Sequence, residues 1–242
     1  MAIADALKLV HDNIMQSAAR AGRNPDLIKL IVVSKTVDIQ SIREAILAGA
    51  NMLGENRVQE AKAKINALKS EITPLISTPG KRGLQGEVEW HLIGSLQKNK
   101  AKAAVQLFDL IHSVDSVSLA DELNRHAGNM GKIQRILVQV KLADEPTKHG
   151  ADEDEIMTLL DSITKLDNIA LEGLMTMPPF FDDPEEARPY FKRLRDIADK
   201  AIKKGYPLKE LSMGMSNDYK VAVEEGSTMV RIGSSIFGIR NN

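Results

Sequence analysis

Short apolar runs alternate with longer amphipathic stretches along the whole chain. An opening helix is predicted over 3–21, where Asp5, Lys8, His11 and Asp12 interrupt the apolar residues at helical spacing. β-Branched and apolar runs predict strands at 29–35, 51–56, 87–94, 109–114, 135–142, 169–177 and 209–215. The eighth is TMVRIGSSIFG (228–238), with a short closing helix. Helices are predicted between them at 38–48, 57–69, 97–107, 116–128, 152–165, 184–204 and 217–225; the first of these places Ile39, Ile42, Ile46 and Leu47 on one face. The segment 71–87 contains Pro74, Pro79, Gly80, Gly83 and Gly86 and reads as a long flexible loop.

Strand–helix alternation implies parallel pairing with right-handed crossovers. Eight such units within 242 residues point to one closed (β/α)8 TIM barrel with an extra N-terminal helix, a single domain over 1–242. The alternative is an open doubly wound sheet, but the dinucleotide glycine fingerprint is absent.

Composition narrows the function. The chain is 43% hydrophobic and 27% charged, the balance of a soluble globular protein. Its net charge of −1 provides no global field toward nucleic acid or membrane. With no cysteine, disulfides, thiolate metal sites and cysteine nucleophiles are excluded. The N-terminus lacks the apolar core of a signal peptide, and no apolar run reaches a membrane span. The expected location is cytoplasmic.

The active face of such a barrel lies at the C-terminal ends of the strands. Lys35 ends the first strand and shares a face with Ile31 and Val33. Pointing into the barrel mouth, its ammonium would be partly desolvated and its amine freed to form a Schiff base. The plain alternative is a solvated lysine at a strand end. After the seventh strand comes SMGMSND, where Ser212, Gly214, Ser216 and Asn217 form a small polar turn. Ser216 or Asn217 could cap the next helix and leave N–H groups facing an anion. After the eighth strand, Gly233 lets the backbone approach a ligand and Ser234 adds a hydroxyl. These two loops are the recurrent phosphate site of this architecture, against the alternative of ordinary turn chemistry.

Arg231 shares its strand face with Gly233, opposite Val230 and Ile232, and so points into the barrel. A buried arginine implies a ligand, or else an ion pair with a barrel glutamate or aspartate. Asn56 and His91 could each bond a ring substituent; equally, Asn56 could cap a helix and His91 could be a core histidine. Met175, Met177, Met213 and Met215 read first as barrel filling, with Met213 also a candidate cofactor contact. His112, His126 and His149 show no metal-ligand spacing. Asp182–Asp183 and Glu185–Glu186 read as a solvated loop and helix start.

Taken together, VSKTV around Lys35, GENRVQE (54–60), WHLIGSLQKNK (90–100), SVDS (113–116), GLMTM (173–177), LSMGMSNDY (211–219) and GSTMVRIGSSIFG (226–238) closely resemble the YggS/PROSC family of pyridoxal phosphate homeostasis proteins. The resemblance runs in order along nearly the whole chain. It implies a fold like the N-terminal barrel of bacterial alanine racemase, with pyridoxal 5'-phosphate (PLP) as cofactor. It implies Lys35 as the internal aldimine lysine and phosphate contacts from Ser216, Gly233 and Ser234. It implies Arg231 as partner of the pyridine nitrogen, Asn56 near the ring, and His91 and Gly94 in the wall. TKHG (147–150) fits the family's Lys-x-Gly loop. Where the family often has RIGTAIFG, this chain has Ser234 and Ser235; a serine hydroxyl still bonds phosphate.

An arginine at the pyridine nitrogen keeps its own proton, so the ring is a weaker electron sink. Racemases work with an arginine there, so this alone does not decide. The racemases of this fold carry a second domain that helps close the site; here the chain ends just after the eighth unit. The expectation is a protein that binds PLP as a lysine aldimine and buffers or delivers it, without catalytic turnover. Its implied partners are PLP and PLP-dependent apo-enzymes, and it is expected to be a monomer. The alternatives are a PLP-dependent amino-acid racemase, and an aldolase or isomerase of phosphorylated substrates with no cofactor.

Overall fold

The apolar run Lys29–Val33 is the first of eight parallel strands that close on themselves. The computed structural model describes residues 1–76, 88–143 and 150–238. Its strands are β1 (Lys29–Val33), β2 (Met52–Glu55), β3 (Glu89–Leu92), β4 (Leu110–Val114), β5 (Gln134–Lys141), the two-residue β6 (Ala151–Asp152), β7 (Ile169–Met175), β8 (Glu210–Met215) and β9 (Met229–Ile232). The barrel order is β4-β3-β2-β1-β9-β8-β7-β5, and β4 pairs with β5 to complete the ring. That closing pair rules out an open sheet. β6 is a spur on β5.

Helix α1 (Ile3–Arg20) precedes the barrel. The others follow their strands: α2 (Ile39–Leu47), α3 (Val58–Ile76), α4 (Ala101–Leu107), α5 (Val117–Asn129), α6 (Ile156–Ile163), α7 (Arg188–Lys203), α8 (Tyr219–Glu224) and α9 (Ser234–Phe237). α7 shows why they pack. Its buried Phe191, Leu194, Ile197, Ala198 and Ala201 recur at helical spacing, so one stripe faces the sheet. No described helix is long and apolar enough to cross a membrane.

α3 departs from expectation. It continues through Pro74 to Ile76, so 71–76 is helix rather than loop. Proline's fixed φ is compatible with a helix, and in the last turn its missing N–H forfeits a single backbone bond. The remainder of the expected loop, 77–87, and residues 147–149 of the TKHG segment lie outside the described residues.

Period-two alternation sorts the strand side chains into two cores. Leu30, Val32, Leu92, Ile136, Val230 and Ile232 face outward against the helices. Ile31, Leu110, Leu137, Met175 and Met229 fill the barrel interior with no solvent exposure. Below that plug, at the N-terminal end, Lys29 pairs with Glu210 at 2.5 Å, and Arg135 pairs with Glu172 at 2.7 Å and Glu89 at 2.9 Å. Above it, at the C-terminal ends of the strands, the interior opens.

Candidate functional site

The opening is a cavity of about 590 Å³, within the usual range for a small-ligand site. Lys35, Asn56, Gly94, Ser216, Arg231, Gly233 and Ser234 all line it. They come from the ends of five strands or the turns after them, so strand closure brings together residues up to 199 positions apart (Lys35 to Ser234). His91 and Met213 do not line it. Ser212 takes the inner face of β8, which turns Met213 outward into the core against the helices. His91 faces inward from β3 but is fully buried against His112.

Lys35 lies beyond the strand rather than in it, because β1 ends at Val33. The residue is exposed to solvent at the cavity, which corrects the expectation of a desolvated ammonium. The next residue, Thr36, has φ +59°. A left-handed conformation in a β-branched residue costs about 1–2 kcal/mol and persists only where surrounding contacts hold it.

The two loops expected to bind phosphate meet at Ser216. Its Oγ accepts the N–H of Gly233 at 3.3 Å and of Ser235 at 3.4 Å. These are long bonds to donors that point at one spot on the cavity wall. The expected cap on α8 is corrected: the capping residue is Asp218, without a side-chain cap bond. Its carboxylate instead accepts the Met215 N–H at 2.6 Å and closes the turn, so α8 starts at Tyr219. Asn217 bonds the Phe181 carbonyl at 2.8 Å. That bond ties the loop to a rim of Met177, Phe180, Phe181 and Pro184. Asp218 itself lines the cavity, and burial raises its carboxyl above the usual range.

Arg231 is buried and charged. Burial lowers its pKa to about 10, still far above neutral. Its Nη1 donates to Ser212 Oγ at 2.6 Å and its Nη2 to the Thr176 carbonyl at 2.9 Å. The alternative of an ion pair with a barrel carboxylate fails among the described residues: both bonded acceptors are neutral, and Asp218 contributes only attraction at longer range.

A file of hydrogen bonds descends from Arg231 through the barrel. Ser212 Oγ lies 2.9 Å from His112 Nδ1, His112 Nε2 lies 2.9 Å from His91 Nδ1, and His91 Nε2 lies 3.4 Å from Glu89 Oε2. Arginine can only donate and carboxylate can only accept. One direction satisfies both ends: Arg231 to Ser212 to His112 to His91 to Glu89, with a neutral His112 protonated at Nε2. Bonds from His91, then from Arg135, hold the Glu89 carboxyl down to about 2. Burial, then the charges of neighbouring His91 and Arg231, push His112 well below 6.5.

His112 therefore links stability to pH. Its folded pKa lies below its unfolded one, so its contribution is intact above about pH 6.5 and is lost as pH falls, because the unfolded chain takes up the proton first. A His112→Gln protein should lose up to about 1.4 kcal/mol per pH unit of this dependence between about pH 7.5 and about pH 5.5. Melting curves of both proteins at the two pH values test it; equal slopes would refute a neutral, buried His112.

Known proteins match this arrangement along its length. The family described as alanine racemase, N-terminal domain, matches residues 7–241. The pyridoxal phosphate homeostasis protein of Aquifex aeolicus is 39% identical over 237 residues, covering 98% of this chain and 97% of that protein. The protein of the same name from Escherichia coli is 37% identical over 99% of this chain and 97% of its own length. The structure of PipY from Synechococcus elongatus, with PLP bound, superposes with a TM-score of 0.81 at 36% identity, covering 98% of this chain and all of that one. Full-length identity of this order, on the same closed barrel, makes this chain a member of the pyridoxal phosphate homeostasis protein family, built on the alanine racemase N-terminal domain fold.

Proposed function

We propose that this chain binds PLP covalently through Lys35 and buffers or delivers it without turning over a substrate. One observation carries the reading. Lys35, the Ser216 and Gly233–Ser234 loops, and a buried guanidinium that among the described residues bonds only neutral acceptors line one cavity. Those groups suit the three ends of this cofactor. The Lys35 amine condenses with the aldehyde: a carbon–nitrogen double bond forms and water leaves. The hydroxyls of Ser216 and Ser234 and the N–H groups of Gly233 and Ser235 hold the phosphate. Arg231 donates to the pyridine nitrogen, Asn56 bonds the ring, and Gly94 forms wall. His91 acts from a distance, through His112 and Ser212 on Arg231. When bound, the cofactor supplies an aldehyde carbon and a ring that withdraws electrons.

Arg231 keeps its own proton and cannot hand one to the ring nitrogen, a trait that racemases share. What favours a carrier is the lack of a second base among the described residues. Tyr190, Tyr206 and Tyr219 all lie away from the cavity lining, so none is placed as a second base. The names of the homeostasis relatives point the same way. The proposed recipients are PLP-dependent apo-enzymes, met by a monomer in the cytoplasm.

Borohydride reduction of the PLP-loaded protein, followed by peptide mapping, tests the binding. The pyridoxyl label is expected on the peptide containing Lys35. A label on another lysine, or none, overturns the assignment. Racemisation of any amino acid at enzymatic rates would overturn the carrier reading alone.

A further inference from the structure

We propose that Lys64, with Glu55 and Glu60, is a clamp that grips the backbone on both sides of Lys35 and holds its amine in position at the cavity. The proposal deepens the functional reading and rests on Lys35 being the cofactor lysine.

The clamp is assembled from β2 and the first turns of α3. Lys64 Nζ donates to Glu55 Oε1 at 2.9 Å and to Glu60 Oε1 at 2.6 Å. The same ammonium donates to the Ser34 carbonyl at 2.6 Å. Ser34 Oγ donates to Glu55 Oε1 at 2.6 Å. The Thr36 N–H donates to Glu60 Oε1 at 2.6 Å. The residue before Lys35 is thus held by its carbonyl and its hydroxyl, and the residue after it by its amide.

Charge and burial make a plain packing role a poor explanation. Glu55 has no solvent exposure and Lys64 is 7% exposed. Taking a lysine and a glutamate out of water is expensive, and apolar side chains would fill the same space more favourably. Two carboxylates share one ammonium, and Glu55 Oε2 has no hydrogen-bond partner among the described residues. The bonds that leave the cluster go to Ser34 and Thr36, the two neighbours of Lys35.

Backbone geometry points the same way. Thr36 is the non-glycine residue with positive φ among those described. A strained turn of this kind needs contacts that over-determine it. The Glu60 carboxylate on its amide is one, and Lys64 fixes that carboxylate. Released, Thr36 would relax toward the extended or right-handed region and carry Lys35 with it. A lysine on a free backbone would present its amine in many positions, and each binding event would then have to order it.

The test uses Glu60→Ala and Lys64→Met, neither of which lines the cavity. Amide exchange at Thr36 is measured in cofactor-free protein, and PLP affinity by titration. Glu60→Ala is expected to remain folded, because it leaves Lys64 paired with Glu55. Its Thr36 amide should exchange at least about tenfold faster and its PLP affinity should fall about tenfold, the scale of one hydrogen bond to a charged group. Lys64→Met should show a larger loss of both. If Lys64→Met does not fold, Glu60→Ala alone decides. Wild-type affinity in Glu60→Ala overturns the proposal, whether or not exchange changes. So does weakened affinity with wild-type protection at Thr36, because the loss would then come by another route. If wild-type protein takes no borohydride label at Lys35, the functional reading has failed, and the clamp as a cofactor device falls with it. Exchange at Thr36 would still show separately whether Glu60 holds the turn.

Discussion

A Lys35→Ala protein is expected to fold normally and to take no covalent label from PLP and borohydride. The residue is exposed and lies past the end of β1, outside both cores, so its truncation should change stability by no more than about 0.5 kcal/mol. What it would lose is the amine proposed to condense with the aldehyde. Pyridoxine 5'-phosphate separates that bond from the rest of the site, because it carries an alcohol where PLP has the aldehyde. It should bind wild-type and Lys35→Ala proteins within about threefold of each other, while PLP should favour the wild type by about a hundredfold or more. Calorimetry with both ligands gives the comparison. If Lys35→Ala weakens both ligands equally, the lysine is a phosphate or ring contact and the covalent assignment is wrong.

Gly94→Ala is expected to damage the fold and the site together. A Cβ at Gly94 would stand 2.3 Å from the Asn56 carbonyl oxygen, 2.8 Å from its Cα and 2.9 Å from its carbonyl carbon. All three are backbone atoms, so no side chain can swing away. Ser113 Oγ holds the Gly94 carbonyl at 2.7 Å from the other side and limits retreat. Overpacking of this kind costs about 3 kcal/mol, which lowers the melting temperature of a chain this size by roughly 6–12 °C. Gly94 and Asn56 both line the cavity, so the displaced wall should also weaken PLP by about tenfold. Differential scanning calorimetry and PLP titration read the two effects. An unchanged melting temperature would mean that β2 and β3 can slide apart at their ends, against the register that pairs Gly54 with His91 and Glu55 with Leu92.

The eight units were legible in the sequence because each strand is a short β-branched or apolar run and each helix repeats at its own period. Lys35, Ser216, Arg231 and Gly233 were legible as site candidates because the strand-end rule of barrels says where to look. Contacts made only by the closed fold were hidden. Glu60 and Lys64 read as an ordinary helix-surface pair four residues apart, and nothing local shows that Glu55 and the Lys35 turn lie against them. Along the chain His91 reads as a ring contact or a core histidine and His112 as a histidine without metal-ligand spacing. They sit on neighbouring strands 21 positions apart, and strand pairing is what puts their rings in contact. Met213 was placed with the ligand-facing residues because its loop is, yet one step of alternation from Ser212 sends it outward. Lys35 was counted as the last strand residue; ladder pairing stops two residues earlier, which leaves its amine wet.

The solid plug beneath the cavity, Ile31, Leu110, Leu137, Met175 and Met229, makes the barrel a cup rather than a pipe. A cup fills and empties over the same lip. On the proposed carrier reading, a recipient protein seated on that lip would also block the next molecule of cofactor, so capture and handover would take turns.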